Sequence, residues 1–367
     1  MPPAPLRRPV TITAWLVLSV ACLLLSPLLL AVAWIAAAVI RRPQPLLLTR
    51  FMITYFALEL RVLVQCGALW LASGFGVRIR SRRFRALHYR VLRHFVHGLA
   101  AQLKTLLDID VVPEAPAEVR QALESDRALL FFSRHAGPGD TLLLVDLLIE
   151  QYQRLPSVVF KDTLAVDPAI DLIGHRLPHA ILDTSDREES EERIEEVAAN
   201  LPPHGILVLF PEGGNFTVER RRRALRRLWR TGRRREAEAA GKMSNMMPPH
   251  PGGALAAMRG NRDADVILSA HTGLGLAAFP RELWRYTPIG ETLTTHMWLE
   301  PAAGLPTDPD QQVEWLYAWW QRLDGWVRAQ GERTPGEEPR PSARQGCGQS
   351  GGGGGLRGGT VRPGPGG

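Results

Sequence analysis

Two residues in the stretch FFSRHAGPGD, residues 131–140, have the types and spacing of a proton-transfer pair. His135 follows an apolar run, and Asp140 comes five residues later, with two glycines and a proline between them. Histidine exchanges a proton near neutral pH, and a nearby carboxylate holds the imidazole in one tautomer and favours its charged form. The pair therefore predicts a general base with an orienting acid.

Helix capping is a second explanation of the same aspartate. Pro138 suits the first position of a helix, because its missing N–H is not needed there. Asp140 then falls in the first turn, where the helix dipole favours a carboxylate without any chemistry. With ten histidines in the chain, one chance H-x4-D match is unsurprising. The motif alone leaves catalysis and capping both open.

A second carboxylate stands at the end of a second apolar run, in GILVLFPEGGNF. This run ends in Pro211, Glu212, Gly213 and Gly214. Glycines let a backbone approach a ligand closely, and Glu212 would place a carboxylate at the end of a strand. A capping residue or a surface turn is the alternative explanation.

Short apolar runs alternate with helix-like stretches through the segment that holds both motifs. The predicted strands are 127–133, 157–161, 179–184, 205–210 and 264–270, and the predicted helices are 138–153, 187–200 and 252–259. Continuously apolar strands are typical of sheets covered on both faces, so we predict an α/β fold with a mixed, partly parallel sheet flanked by helices. In such sheets the site lies beyond the carboxyl ends of the strands, where both motifs fall.

Residues 10–40 carry no charge and exceed the roughly 20 apolar residues that a membrane span needs. Pro27 would let this segment tilt, kink or fold back as a helical hairpin. A cleaved signal peptide is the alternative, because residues 31–33 resemble a cleavage site, but the apolar run is longer than a usual signal core. We predict a retained transmembrane segment over residues 1–45.

The remaining boundaries follow from composition. Residues 46–107 are predicted to hold an interfacial or second membrane helix and then a basic amphipathic helix at 84–107, which also fits an ordinary surface helix. Five arginines within 78–85 favour a catalytic domain on the cytoplasmic face of the cell membrane. That domain is predicted over 108–330, and the Gly-, Pro- and Arg-rich tail at 331–367 is predicted to be disordered.

The net charge of +7 predicts anionic partners. Ten arginines lie between Arg220 and Arg235 and are suited to phosphate groups, lipid headgroups or the phosphates of coenzyme A. A solvated helix or a nucleic-acid patch is the alternative, but the membrane segment favours phospholipid, and we expect no nucleic acid. Three distant cysteines and the lack of a ligand motif predict neither a metal nor a cofactor.

The order and spacing of the motifs resemble those of the membrane glycerophospholipid acyltransferases over roughly residues 85–300. The type member acylates 1-acyl-sn-glycerol 3-phosphate to make phosphatidic acid. RHAGPGD is similar to the first motif of that family and FPEGG to the third. VVFKDTL with Gly174 and ILDT looks like the second, and DADVILSAHTG stands where the fourth should be. The resemblance implies catalytic His135 and Asp140 and these substrate-binding residues: Lys161, Arg187, Pro211, Glu212, Gly213 and Gly214.

This chain departs from the family pattern at three places. The third motif usually continues Thr-Arg, whereas here it reads Gly214-Asn215. The second block usually ends in an arginine, whereas here Thr184 stands there with Arg187 three residues on, and the proline of the fourth block is absent. Those arginines are thought to hold the acceptor's phosphate, so the arginine-rich stretch is a candidate replacement.

The implied reaction is direct acyl transfer from acyl-CoA or acyl carrier protein to a lysophospholipid hydroxyl, without a covalent acyl-enzyme. An acceptor such as a different lysophospholipid or a glycolipid, and a catalytically silent membrane scaffold, are the alternatives. A serine hydrolase would need G-x-S-x-G, which the sequence lacks. A dinucleotide enzyme is disfavoured because Pro280 follows GLGLAA where the phosphate-binding helix should continue.

Overall fold

The computed structural model describes residues 4–182, 186–273 and 289–331. The helices in these ranges are α1 Ala4–Leu24, α2 Ser26–Ile40, α3 Gln44–Ala72, α4 Arg82–Leu107, α5 Ala117–Glu124, α6 Pro138–Glu150, α7 Pro168–Arg176, α8 Arg187–Ala199, α9 Val218–Arg230, α10 Arg234–Gly241, α11 Pro251–Gly260 and α12 Pro309–Ala329. The strands are β1 Asp110–Glu114, β2 Leu129–Ser133, β3 Leu155–Lys161, β4 Ala180–Leu182, β5 Gly205–Leu209, β6 Asp265–Thr272 and β7 Thr292–Glu300.

These strands form one sheet in the order β1-β7-β6-β2-β5-β3-β4. Strands β6, β2, β5, β3 and β4 are parallel neighbours, and β7 pairs antiparallel with β6 and parallel with β1. The predicted α/β class with a mixed, partly parallel sheet is thus confirmed, and the sheet is mostly parallel. The end of the predicted strand 179–184, the GLGLAA segment after residue 273 and the tail from residue 332 lie outside the described residues.

Successive side chains of a central strand pack into two separate apolar layers, one on each face of the sheet. Leu130 and Phe132 of β2 pack into the layer that contains Trp320 of α12, whereas Leu129 and Phe131 pack into the layer that contains Leu148 of α6. Because successive side chains of a strand point to opposite faces, a strand between two helical layers must be apolar at every position. Truncating Leu130 to alanine would cost about 2–5 kcal/mol for this reason.

The N-terminal apolar segment folds back after Ile40, and not at Pro27 as a proline hairpin would. Helical hydrogen bonding continues through Leu25, whose N–H donates to Ala21 (2.9 Å) and whose carbonyl accepts from Leu29 (2.9 Å). Helix α3 then packs against both α1 and α2. Among the described residues, one helix, at Leu6–Leu24, is long and apolar enough to cross a membrane.

Ion pairs attach this N-terminal helix to the α/β layer. Arg7 Nη2 and Arg8 Nε lie 2.6 and 2.7 Å from the carboxylate oxygens of Asp171 on α7. Asp171 is 1% exposed, and burial by itself would raise the pKa of its carboxyl, but His175 and the Arg8 guanidinium hold that pKa far below its usual range. Removing both arginines would leave the buried carboxylate paired with His175 alone, so these contacts hold the first turns of α1 against α7.

Helix α4 buries its apolar face inside the protein. Phe95 and Leu99 of this face pack in one core cluster with Ile149 of α6 and Ile173 of α7, while its arginines face outward. Protein therefore covers the apolar face of α4, and its arginines face solvent.

Candidate active site

The two predicted motifs meet at one edge of the sheet. Strands β2 and β5 are parallel neighbours, so the loops after Ser133 and Leu209 leave the sheet side by side. The Phe216 N–H donates to the His135 carbonyl (3.2 Å), and the His135 N–H donates to Glu212 Oε1 (3.3 Å). The His135 ring also packs on Phe210 with ring centroids 4.8 Å apart. Sequence motifs 77 positions apart therefore form one site.

His135 leaves one ring nitrogen available to a substrate. Its Nδ1 lies 3.8 Å from Asp140 Oδ1 and 3.4 Å from Thr141 Oγ1, and its side chain is 20% exposed. The separation from Asp140 is that of an ion pair rather than a hydrogen bond, which is common in unliganded catalytic sites. With Nδ1 directed at the aspartate, Nε2 is the nitrogen that can take a proton.

Asp140 is a fully buried carboxylate that receives four donors. Its Oδ2 accepts from the backbone N–H groups of Ala136 (2.7 Å) and Gly137 (2.8 Å), and its Oδ1 accepts from that of Thr141 (2.8 Å). The fourth donor is His271 Nε2, 3.1 Å from Oδ2. Burial would raise the pKa of Asp140, but both histidines and the Gly137 amide outweigh it and hold the pKa below its ordinary value. Capping and charge stabilisation thus coexist in one residue.

His271 is a part of the site that the sequence analysis missed. It lies near the carboxyl end of β6, is 1% exposed and also directs Nε2 toward the Arg134 carbonyl (3.1 Å). Because both neighbours of Nε2 are acceptors, the hydrogen-bond network assigns the proton to that nitrogen. A histidine at the end of an apolar strand was the signal that singled out His135, and His271 carries the same signal.

Buried Arg134 connects this strand end to the next loop. Its Nη1 donates to the His271 carbonyl (2.6 Å) and its Nη2 to the Asn245 carbonyl (3.2 Å). A planar guanidinium with several fixed donors suits such a bridge between backbone segments. Arg134 thereby holds the backbone on both sides of the site.

Glu212 is buried and forms hydrogen bonds to the loop that contains His135. Its two oxygens accept from the backbone N–H groups of His135 (3.3 Å) and Met247 (3.0 Å). Burial raises the pKa of Glu212 to about 8, against the opposing effect of Arg134 and the two amide donors. The Glu212 side chain therefore joins the third motif to the first through hydrogen bonds to the main chain.

A cationic cavity of about 270 Å³ opens beside Glu212. It is lined by Glu212, Gly213, Gly214, Arg220, Arg223, Met247 and His250. Gly213 has φ +65°, and a Cβ there would lie 3.0 Å from the His250 ring, while a Cβ on Gly214 would lie 3.1 Å from Arg220 Nη1. The two glycines thus allow a histidine and an arginine to approach the strand end closely.

Lys161 and Arg187 stand near the same cavity. Lys161 ends β3, the neighbour of β5, and Arg187 begins α8 with its Nε 2.7 Å from Glu191 Oε1. Desolvation lowers the pKa of His250, and four cations lower it further: Arg227, Arg233, Arg187 and Lys161. Desolvation also lowers the pKa of His135, and the nearby Asp140 opposes this by raising it. His271, Lys161 and Arg220 lower the pKa of His135 further. The backbone carbonyl of Pro211, another predicted site residue, accepts a hydrogen bond from the His250 N–H (2.7 Å). This bond holds His250 beside Glu212.

One group of side chains in the described ranges has the geometry of a metal site, and it lies on helices α4 and α6. It consists of His97, Asp146 and Glu150. Lys104 Nζ already pairs with Asp146 (2.8 Å), and Arg93 pairs with Glu150 (2.8 Å). These cations already balance the carboxylates, so the arrangement is an ion-pair network between two helices.

Part of the chain that includes this site is similar to a known protein family. A family model described as acyltransferase matches residues 116–266. No curated protein and no solved structure matches the chain. The matched segment contains His135, Asp140, Glu212 and the arginines of α9, and the observed geometry accounts for what each contacts. Residues 116–266 are therefore similar to the acyltransferase family, and both predicted motifs fall inside the matched segment.

Proposed function

We propose that the protein is a membrane-associated O-acyltransferase that moves a fatty acyl group from acyl-CoA or acyl carrier protein to the hydroxyl of a lysophospholipid. The acceptor that we favour is 1-acyl-sn-glycerol 3-phosphate, which would give phosphatidic acid. The observation that carries this proposal is the cavity at Glu212, where Arg220 and Arg223 line a space next to the His135 loop. Guanidinium groups bind phosphate oxygens with paired hydrogen bonds, and this pair would replace the arginines that the motifs lack.

His135 Nε2 takes the proton of the acceptor hydroxyl, and the oxygen attacks the carbonyl carbon of the thioester. The tetrahedral intermediate collapses by breaking the carbon–sulfur bond, and the imidazolium returns its proton to the departing thiolate. Asp140, 3.8 Å from Nδ1, stabilises the imidazolium between these steps. The lowered pKa of His135, caused mainly by burial, keeps the ring neutral and ready to accept the proton.

Membrane association is supported by the apolar helix α1 and by its attachment to the catalytic layer. A leader that is removed would not be expected to supply two arginines to the buried Asp171. We therefore propose that the segment is retained in the cell membrane. The five arginines within 78–85 support a catalytic domain on its cytoplasmic face.

The test is free-thiol release from palmitoyl-CoA by the full chain in detergent, with and without lysophosphatidic acid. We expect acceptor-dependent release in the wild type, its loss in His135→Ala, and wild-type release in His94→Ala, an exposed histidine on α4. Release without an acceptor that depends on His135 would identify a thioesterase. Release only with lysophosphatidylcholine or a glycolipid would replace the favoured acceptor. No release with any donor and acceptor pair would favour a silent scaffold.

A further inference from the structure

A second cavity, of about 600 Å³, lies away from the catalytic residues. Its lining comes from α1, α3, α7 and the turn at 73–81, and consists of Arg8, Ile12, Leu63, Gly67, Trp70, Phe75, Gly76, Ile79, Arg80, Leu172, His175 and Arg176. Helix α7 is the crossover between parallel strands β3 and β4. Its first residue, Pro168, therefore lies toward the edge with Lys161, and its last, Arg176, leads away from that edge.

We propose that this cavity is a binding site for one anionic phospholipid taken from the bilayer, separate from the acyl-transfer site. It has the size of small-molecule sites, roughly 300–1,000 Å³. Apolar side chains supply most of its wall, including Ile12, Leu63 and Trp70. A Cβ added at Gly67 would meet nothing within 4 Å, so this glycine leaves open space in the wall. Such a surface fits an acyl chain.

The charged part of the wall selects a negative headgroup. None of the described residues that line the cavity is acidic. The nearby Asp171 is buried and already pairs with Arg7, Arg8 and His175, so it neutralises only part of the positive charge. The Nη2 of Arg8 is buried without a hydrogen-bond partner. A phosphate oxygen would supply the acceptor that this nitrogen lacks.

The turn at 73–81 explains why a bilayer lipid is the occupant. Phe75 and Val77 are 70% and 88% exposed. Phe75 has φ +54°, an uncommon conformation for a bulky residue, and it lies between two glycines of positive φ. Exposed Arg78 and Arg80 flank these apolar tips. Apolar side chains beside cations are suited to the boundary between headgroups and acyl chains of an anionic membrane.

The test is native mass spectrometry of the full chain in non-ionic detergent, titrated with dioleoyl phosphatidylglycerol. We expect a one-to-one complex, weakened about tenfold or more in Gly67→Leu, which fills the open space. Ala68→Leu, an exposed neighbour that does not line the cavity, should bind as the wild type does. Equal binding by these two variants would overturn the site.

The headgroup is tested separately. Arg80→Gln should weaken binding about fivefold, while Arg78→Gln, exposed but outside the lining, should not. This pair also carries the test if Gly67→Leu does not fold. Dioleoyl phosphatidylcholine should bind much more weakly; equal binding would overturn anionic selectivity. Displacement of the lipid by inorganic phosphate would show that the occupant is a free anion.

Discussion

Nε2 of His271 lies 3.1 Å from Oδ2 of Asp140, closer than Nδ1 of His135, which lies 3.8 Å from Oδ1. One carboxylate thus connects a partly exposed histidine that can meet a substrate with a buried histidine that cannot. Each hydrogen-bond donor stabilises a buried carboxylate as an anion. Of the two histidines beside Asp140, only His271 lies within hydrogen-bond distance of it. We infer that His271 is a positioning residue for the H-x4-D pair.

His271→Leu should therefore lower kcat by about tenfold or more while leaving KM for the acceptor within about twofold. His271→Gln, whose amide nitrogen reaches close to the position of Nε2, should recover most of the activity. The measurement is acceptor-dependent thiol release over a range of acceptor concentrations, with melting temperature as the check of folding. Equal losses in both variants at equal melting temperatures would mean that the side chain acts by packing alone.

The acid limb of the rate profile should lie below pH 6.5, the ordinary pKa of histidine. Burial disfavours the imidazolium of His135 and so lowers its pKa, which keeps the base form populated as the pH falls. The measurement is kcat/KM for acyl transfer from pH 5 to 8 at constant ionic strength. A limb centred near pH 7 or above would contradict a desolvated catalytic histidine.

The strands that build the site could be predicted because they are buried on both faces and therefore apolar throughout. Because strands β2 and β5 are parallel, their carboxyl ends also place His135 and Glu212 at one edge of the sheet. Strand β7 was missed because its buried residues alternate with partly exposed ones and it carries threonines. Strand β1 was missed because it is a short edge strand that contains Pro113. A continuous apolar run is the signal that marks a strand buried on both faces, and a half-exposed strand does not have such a run.

The phosphate-binding residues could not be chosen from the sequence for a different reason. Nothing in the composition of the stretch Arg220–Arg235 distinguishes one of its ten arginines from another as a phosphate ligand. Only the helical phase of α9 and its start after the Gly213-Gly214 turn bring Arg220 and Arg223 to the cavity. Residues three positions apart share one face of a helix, which explains why these two arginines act together.

Arg223→Gln should raise KM for lysophosphatidic acid about fivefold to tenfold with a small change in kcat. Arg223 lines the cavity beside Glu212, and its charge would meet the phosphate of the acceptor in both the ground state and the transition state. Arg222→Gln is the matched control, because Arg222 is exposed on the same helix and does not line the cavity. If Arg223→Gln and Arg222→Gln raise KM equally, the arginines of α9 attract anions only through their overall charge. Rising salt concentration would then abolish the effect of both variants.

Glu212 should make the stability of the protein fall as the pH rises. Burial raises the pKa of Glu212 from its ordinary 4.5 to about 8, so the folded state holds a proton that the unfolded state has lost between these values. The stability from this carboxyl is fully present below pH 4.5 and is lost as the pH rises through about 8, on the order of 5 kcal/mol in total. Glu212→Gln cannot ionise, so its melting temperature relative to wild type should rise between pH 5 and pH 8.5. Any fixed cost of the amide facing a backbone N–H cancels in that comparison. Glu219→Gln, an exposed glutamate on α9, serves as the control. If the difference between Glu212→Gln and wild type does not change with pH, the carboxyl is ionised in its two-amide contact throughout this range.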